Sequence, residues 1–216
     1  MTASPPPPAD WLHDIIPAQY RRRLPWTYLA VGAACLLVQC HPEWRGALIY
    51  DRAGLARGEY WRLWTGHGVH FGWAHFVADG GLFVIMGWLL EAAHPWFSRL
   101  ALVLMPLFIS SLLYWLDPEM VRYGGLSAVD LGLLLFLAAQ GWQRDWSDWF
   151  WPAVLVIYVG EVIFEIMKGG RGGGMIAFDD ANVKVATSAH VASAVYALAA
   201  WLVAAWMRRR AKSEGK

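Results

Sequence analysis

An ionisable or reactive side chain inside an apolar helix is costly, and is a functional candidate for that reason. The sequence places a small set of them within or beside its apolar runs: His75 and Asp79, Ser127 and Asp130, Glu161 and Glu165, and His190, with His67 and His70 just upstream of the second run. Ser127 and His190 carry the plainest chemistry. A serine hydroxyl is a weak nucleophile until a base within hydrogen-bond reach takes its proton. Imidazole does this near neutral pH and then returns the proton to a leaving amine. Taken singly, a membrane serine commonly bonds its own helix carbonyl and a lone histidine commonly packs. The argument for chemistry therefore rests on the pair and on what surrounds it.

The elements that must position this pair are apolar segments. Of 216 residues, 57% are hydrophobic and 16% charged, against about 25% charged in an average soluble domain. This excludes a disordered chain and argues against a soluble domain. The formal net charge of +1 points to no nucleic-acid partner. Six apolar segments run near 25–40, 75–92, 100–116, 125–142, 150–167 and 186–207. Several fall slightly short of the roughly 20 residues that cross a bilayer. Trp26, Trp73, Trp96, Trp115, Trp142, Trp149, Trp151 and Trp206 mark segment ends, as in interfacial belts. The reading is an all-α membrane protein, a six-transmembrane-helix bundle over 25–207. A Pro-rich and then basic tail, 1–24, precedes it, and a basic tail, 208–216, follows. Cys35 and Cys40 share one predicted helix at a spacing that excludes a disulfide while the helix holds, so they read as small apolar residues.

With six spans both tails face one side. Lys and Arg number ten on that side and eight on the other, with the dense clusters in the tails, which places both termini in the cytoplasm. The long connection 41–74, rich in Trp, Tyr and Arg, then lies on the outer side and is expected to be functional or structured. A second outer loop, 168–184, carries Gly169, Gly170 and Gly172–Gly174 and is expected to be mobile. On this topology His75, Ser127 and His190 sit near the outer ends of three helices, implying a shared, water-accessible cavity. Gly124, Gly125, Ala128 and Gly132 around Ser127, and Ala186, Ala189, Ser193, Ala194 and Ala197 around His190, allow close helix approach.

Four motifs in order resemble the rhomboid intramembrane serine proteases. They are Trp61-Arg62 with Thr65, then His70-Phe-Gly-Trp-Ala-His75-Phe-Val-Ala-Asp79, then Gly125-Leu126-Ser127-Ala128, then Ala189-His190. The stretches Tyr50-Asp51-Arg52-Ala53 and Thr65-Gly66-His67-Gly68-Val69-His70, with the short core, resemble the rhombosortase subgroup. The resemblance implies a rhomboid-like bundle in a bacterial inner membrane, its active site opening to the periplasm. It implies a Ser127–His190 dyad, His75, Asp79 and the Ser127 N–H at the oxyanion positions, a loop-anchoring Arg62, a structural His70 and no cofactor. It also implies a transmembrane protein substrate with a C-terminal Gly-Gly motif, a helix and a basic tail, met in membrane lipid.

The sequence departs from the family pattern at Ala128 (for Gly), Ser193 (for Gly), Asp130 and, most seriously, Asp79, where the family has Asn. Asp79 leaves three readings: a protonated donor to the oxyanion, a partner of His75, or the mark of an inactive protein that binds transmembrane segments. The residue types also fit two rival classes. His67, His70 and His75, or Glu91 with His94, have metal-ligand types at unspecific spacing. Glu161 and Glu165, one turn apart, have the types for a proton path.

Overall fold

The computed structural model describes residues 24–145, 147, 149–167 and 186–213. The tail before residue 24, the 168–184 loop and the side chains of Glu161 and Glu165 lie outside the described residues. Helix α1 (Trp26–Cys40) starts behind Pro25, whose missing N–H and fixed φ suit the position. The connection that follows is built rather than loose. It contains a 3₁₀ turn (Pro42–Trp44), α2 (Arg45–Leu48), β1 (Tyr50–Asp51), α3 (Arg52–Ala56), α4 (Arg62–Thr65) and a second 3₁₀ turn (Gly66–Gly68). Next come α5 (Trp73–Ala93), α6 (Pro95–Leu116), β2 (Arg122–Tyr123), α7 (Ser127–Arg144), α8 (Phe150–Met167) and α9 (Thr187–Ser213).

The all-α expectation needs one amendment. β1 and β2 pair antiparallel, Tyr50 opposite Tyr123 and Asp51 opposite Arg122, so the long connection is stitched to the segment that leads into Ser127. Asp51 also caps α3 by accepting from Gly54 N–H at 2.7 Å and receives Arg122 Nε at 3.2 Å. Arg52 reaches the other way and donates to the carbonyls of Leu113, Tyr114 and Asp117 at the C-terminal end of α6.

Two boundaries differ from the sequence expectation. α6 begins at Pro95 rather than near residue 100, because proline is favourable in a first turn and Trp96-Phe97-Ser98-Arg99 continue the helix. α9 runs past residue 207 to Ser213, since Arg, Ala and Lys are good helix formers and nothing in 208–213 breaks the ladder. Arg208 donates to Gln143 Oε1 of α7 at 2.7 Å, so the start of the basic tail belongs to the bundle.

α7 is the central element. Ala128 through Leu134 are all buried, as are Phe136, Leu137 and Ala138. Its neighbours bring Phe83 and Leu90 of α5, Met105, Ile109 and Leu113 of α6, and Ala189, Ala192 and Ala197 of α9 into the same core. Glycine sets the spacing: a Cβ on Gly132 would lie 2.6 Å from Met105 Sδ and 3.4 Å from Ser193 Cβ. On the outer side α5, α6, α8 and α9 present large apolar residues such as Val77, Ile85, Val103, Ile157, Leu198 and Leu202. Among the described residues three helices, α5, α6 and Thr187–Arg210 of α9, are long and apolar enough to cross a membrane; α1 and Phe150–Gly160 are shorter apolar helices. An outward apolar surface on helices of this length has its natural solvent in lipid.

Candidate active site

The turn before α7 is dictated by glycine. Gly125 has φ +114°, a region that L side chains rarely enter, and a Cβ there would stand 2.9 Å from His75 Nε2 and 3.2 Å from Asp79 Oδ2. The turn therefore lies directly on the polar face of α5. It delivers Ser127 to the start of α7, half-buried, with its hydroxyl toward α9.

His190 arrives one turn into α9. Ala186 O accepts the first bonds of that helix from the N–H groups of Ala189 and His190. Ser188 Oγ donates to Asp117 Oδ2 at 2.6 Å, tying the start of α9 to the end of α6. Ala189 is fully buried and Ser193 Oγ turns back onto His190 O at 2.9 Å, so the face toward α7 stays thin. His190 Nε2 consequently lies 3.1 Å from Ser127 Oγ. Residues 63 positions apart in the chain thus meet as hydroxyl and base, in the geometry that proton removal from a nucleophile requires.

Asp79 closes the other side. Its Oδ2 accepts the backbone N–H of Ser127 at 3.0 Å and lies 3.0 Å from His75 Nε2, one helical turn away. Phe71 N–H donates to His75 Nδ1 at 3.4 Å, which assigns the ring proton to Nε2 and makes His75 the donor to Asp79. Oδ2 is therefore placed to accept two hydrogen bonds, from His75 Nε2 and from the Ser127 N–H. That N–H is the one an oxyanion would use.

The remaining expected residues fall into place around this centre. Arg62 is buried, and its head turns into the connection: it donates to Gly46 O at 3.0 Å and Ile49 O at 2.7 Å, and pairs with Glu59. Arg57 joins the same carboxylate, and these guanidinium bonds hold Glu59 below the usual carboxylate range. His70 is packed edge-on to His75 and Phe76, with Nε2 at 3.6 Å from Asp79 Oδ2. Burial pushes its imidazole down to about 4.

The metal-ligand patterns disperse. His67 turns away to Ser110 Oγ at 3.0 Å, and burial pushes it down to about 4. At the far end of α5, Glu91 receives Arg99 Nε and Thr27 Oγ1, while His94 bonds Gln140. Among the described residues no group of three or more His, Cys, Asp or Glu is placed to hold a metal ion. Asp130 is wholly buried, and its carboxyl has no hydrogen-bond partner among the described residues.

Two residues escaped the sequence reading. Tyr158 of α8 donates to Ser127 O at 2.8 Å, and Tyr123 of β2 donates to Gly125 O at 3.1 Å. A tyrosine in an apolar segment, or two positions before a glycine, carries no signal of its own.

The fold and the site together define a helical membrane protein with a serine and a histidine brought into contact between two helices. A rhomboid domain model matches residues 57–207, more than two thirds of the chain, and the chain belongs to the rhomboid family. Members of that family are generally intramembrane serine proteases. The match begins inside the long connection, so α1 lies outside it. A search of curated proteins finds no match.

Proposed function

We propose that the chain is an intramembrane serine endopeptidase in which Ser127 is the nucleophile and His190 the general base and acid. The observation that carries this is the 3.1 Å approach of His190 Nε2 to Ser127 Oγ. In this reading Ser127 Oγ attacks the scissile carbonyl as its proton passes to His190 Nε2. The carbonyl π pair moves onto oxygen, and collapse of the tetrahedral adduct breaks the C–N bond as His190 protonates the amine. Water, activated by the same imidazole, then hydrolyses the acyl-serine. The Ser127 N–H serves the oxyanion once Asp79 releases it, with His75 Nε2–H as a second donor at the same place.

The finer reading is a rhombosortase in a bacterial inner membrane. It has six spans, both termini in the cytoplasm and a site facing the periplasm, and it cuts membrane-anchored proteins at a C-terminal Gly-Gly signal followed by a helix and a basic tail. The support is the sequence resemblance.

One observation favours a second reading, a rhomboid-like protein that binds transmembrane segments without cutting them: the Asp79 carboxyl occupies the N–H that catalysis needs. Covalent labelling separates the two. A fluorophosphonate should modify Ser127 in the full chain in detergent micelles. Ser127→Ala should abolish labelling, and His190→Ala should lower it by about 10³-fold or more, the double variant losing no more than either alone, because the pair acts as a unit. Absence of labelling in the folded wild type selects the binding protein.

A further inference from the structure

Three successive carbonyls at the nucleophile turn are each held by a different donor. Gly125 O takes the hydroxyl of Tyr123 at 3.1 Å, Leu126 O takes Asp130 N–H at 2.9 Å, and Ser127 O takes the hydroxyl of Tyr158 at 2.8 Å. The middle bond opens helix α7, as any helix start does. The outer two are side-chain bonds, one from β2, the strand that runs directly into the turn, and one from α8, a separate helix. The peptide plane between Leu126 and Ser127 carries the Ser127 N–H, so the planes on either side of it are pinned from outside.

Beside the Tyr123 hydroxyl stands His67 Nδ1, whose protonation follows from the bonds on the other ring nitrogen. Ser110 Oγ–H donates to Leu63 O at 2.9 Å, so its one proton is used. His67 Nε2, 3.0 Å from the same Oγ, must then be the donor, which leaves Nδ1 as a neutral acceptor facing Tyr123 OH at 3.4 Å. Burial favours that neutral ring and also holds the Tyr123 phenol protonated, well above its ordinary range. The ring of Tyr123 is packed edge-on to both His67 and Tyr50. The ring is thus fixed by packing, and of the two acceptors in reach of its one proton, His67 Nδ1 at 3.4 Å and Gly125 O at 3.1 Å, Gly125 O is the nearer.

We propose that Tyr123 and Tyr158 are positioning residues for the nucleophile, a pair of hydroxyl clamps that fix the Ser127 N–H and Oγ relative to His190 and Asp79. The proposal rests on the reading of Ser127 as nucleophile. Neither hydroxyl contacts a reacting atom; each acts through a backbone carbonyl. A displacement of about 1 Å at a reacting centre can lower a rate about 10²-fold, so loss of one clamp of two should register without unfolding the bundle.

The test uses the full chain in detergent micelles and a fluorophosphonate probe, with the maximal labelling rate, the half-saturating probe concentration and the melting temperature measured for each variant. Tyr123→Phe and Tyr158→Phe each remove one oxygen from a packed ring. Each should lower the maximal rate about tenfold, leave the half-saturating concentration unchanged, and melt within a few degrees of wild type. The pH at half-maximal rate should not move, since His190 is untouched. Should Tyr123→Phe fail to fold, Tyr158→Phe carries the test by itself, because its hydroxyl comes from a separate helix. Wild-type rates in the folded Phe variants, beside a silent Ser127→Ala, overturn the clamp and leave the nucleophile standing. Equal labelling of wild type and Ser127→Ala overturns the nucleophile, and the clamp with it.

Discussion

At the scale of single residues, the Asp79 carboxyl on the Ser127 N–H is the point of tension. A carboxylate accepting a backbone N–H makes a charge-assisted bond, about twice as strong as a neutral one, and a substrate carbonyl has to compete with it for the Ser127 N–H. An amide oxygen accepts the same bond more weakly, and an amide nitrogen adds a donor that a carboxylate lacks. Asp79→Asn is therefore expected to raise the labelling or cleavage rate severalfold at neutral pH. Loss of one oxyanion donor typically costs about 10²–10³-fold, so the assay has range to see either direction. A hundredfold fall in Asp79→Asn would mean that the negative charge is needed, most simply to hold His75 Nε2 where it now sits.

At the scale of elements, the long connection behaves as a structural part and carries its own pH sensitivity. Arg62, Thr65 and Trp61 tie α4 to the carbonyls of Gly46, Ile49, Leu48 and Ala47, and the β1–β2 pair carries that rigidity to the Gly124-Gly125 turn. His67 sits within this part, neutral and depressed to about 4 by burial, against an ordinary value of 6.5. Below pH 6.5 the unfolded chain takes up a proton that the folded one refuses, so stability falls as pH drops from about 6.5 toward 4. Wild type in micelles is expected to melt at a lower temperature at pH 5 than at pH 7. His67→Gln, which keeps a donor for Ser110 and cannot titrate, should show a smaller drop. Equal drops in the two proteins would place a titrating group other than His67 behind the effect.

At the scale of the whole molecule, the proposed orientation and substrate make separate demands. A reporter fused after Lys216 is expected to read as cytoplasmic, because the basic residues that start at Arg208 follow the last apolar helix; a periplasmic signal would invert the topology and put the Ser127 end on the wrong side for a secreted substrate. A scissile peptide inside a helix is shielded by its own hydrogen bonds, and Gly disfavours helix by about 1 kcal/mol per residue relative to Ala. Replacing Gly-Gly by Ala-Ala in an anchored test substrate should therefore slow cleavage by about tenfold or more. Unchanged rates would remove helix unwinding as the source of selectivity.

Residue type and spacing by themselves determined the helical membrane class, four of the six helix positions to within a few residues, and the candidates Ser127 and His190. The physical reason is that apolar runs, glycine and alanine clusters, and polar residues stranded in hydrocarbon are local properties of a chain. The start of α6 at Pro95 was missed because a helix can open on a polar, aromatic turn that hydropathy does not see. Only the tertiary structure decided what the polar groups touch. The partner of an atom is fixed by contacts 13 to 71 positions away in the chain, as in Arg62 with Ile49 and Ser188 with Asp117, and no local pattern encodes them. So the turning of Arg62 into the connection, of His67 onto Ser110 and of Asp79 onto the Ser127 N–H emerged from packing, as did the two tyrosine hydroxyls on the nucleophile turn. A hydroxyl or carboxylate can satisfy itself with any donor or acceptor in reach, and which one is in reach is a property of the folded bundle.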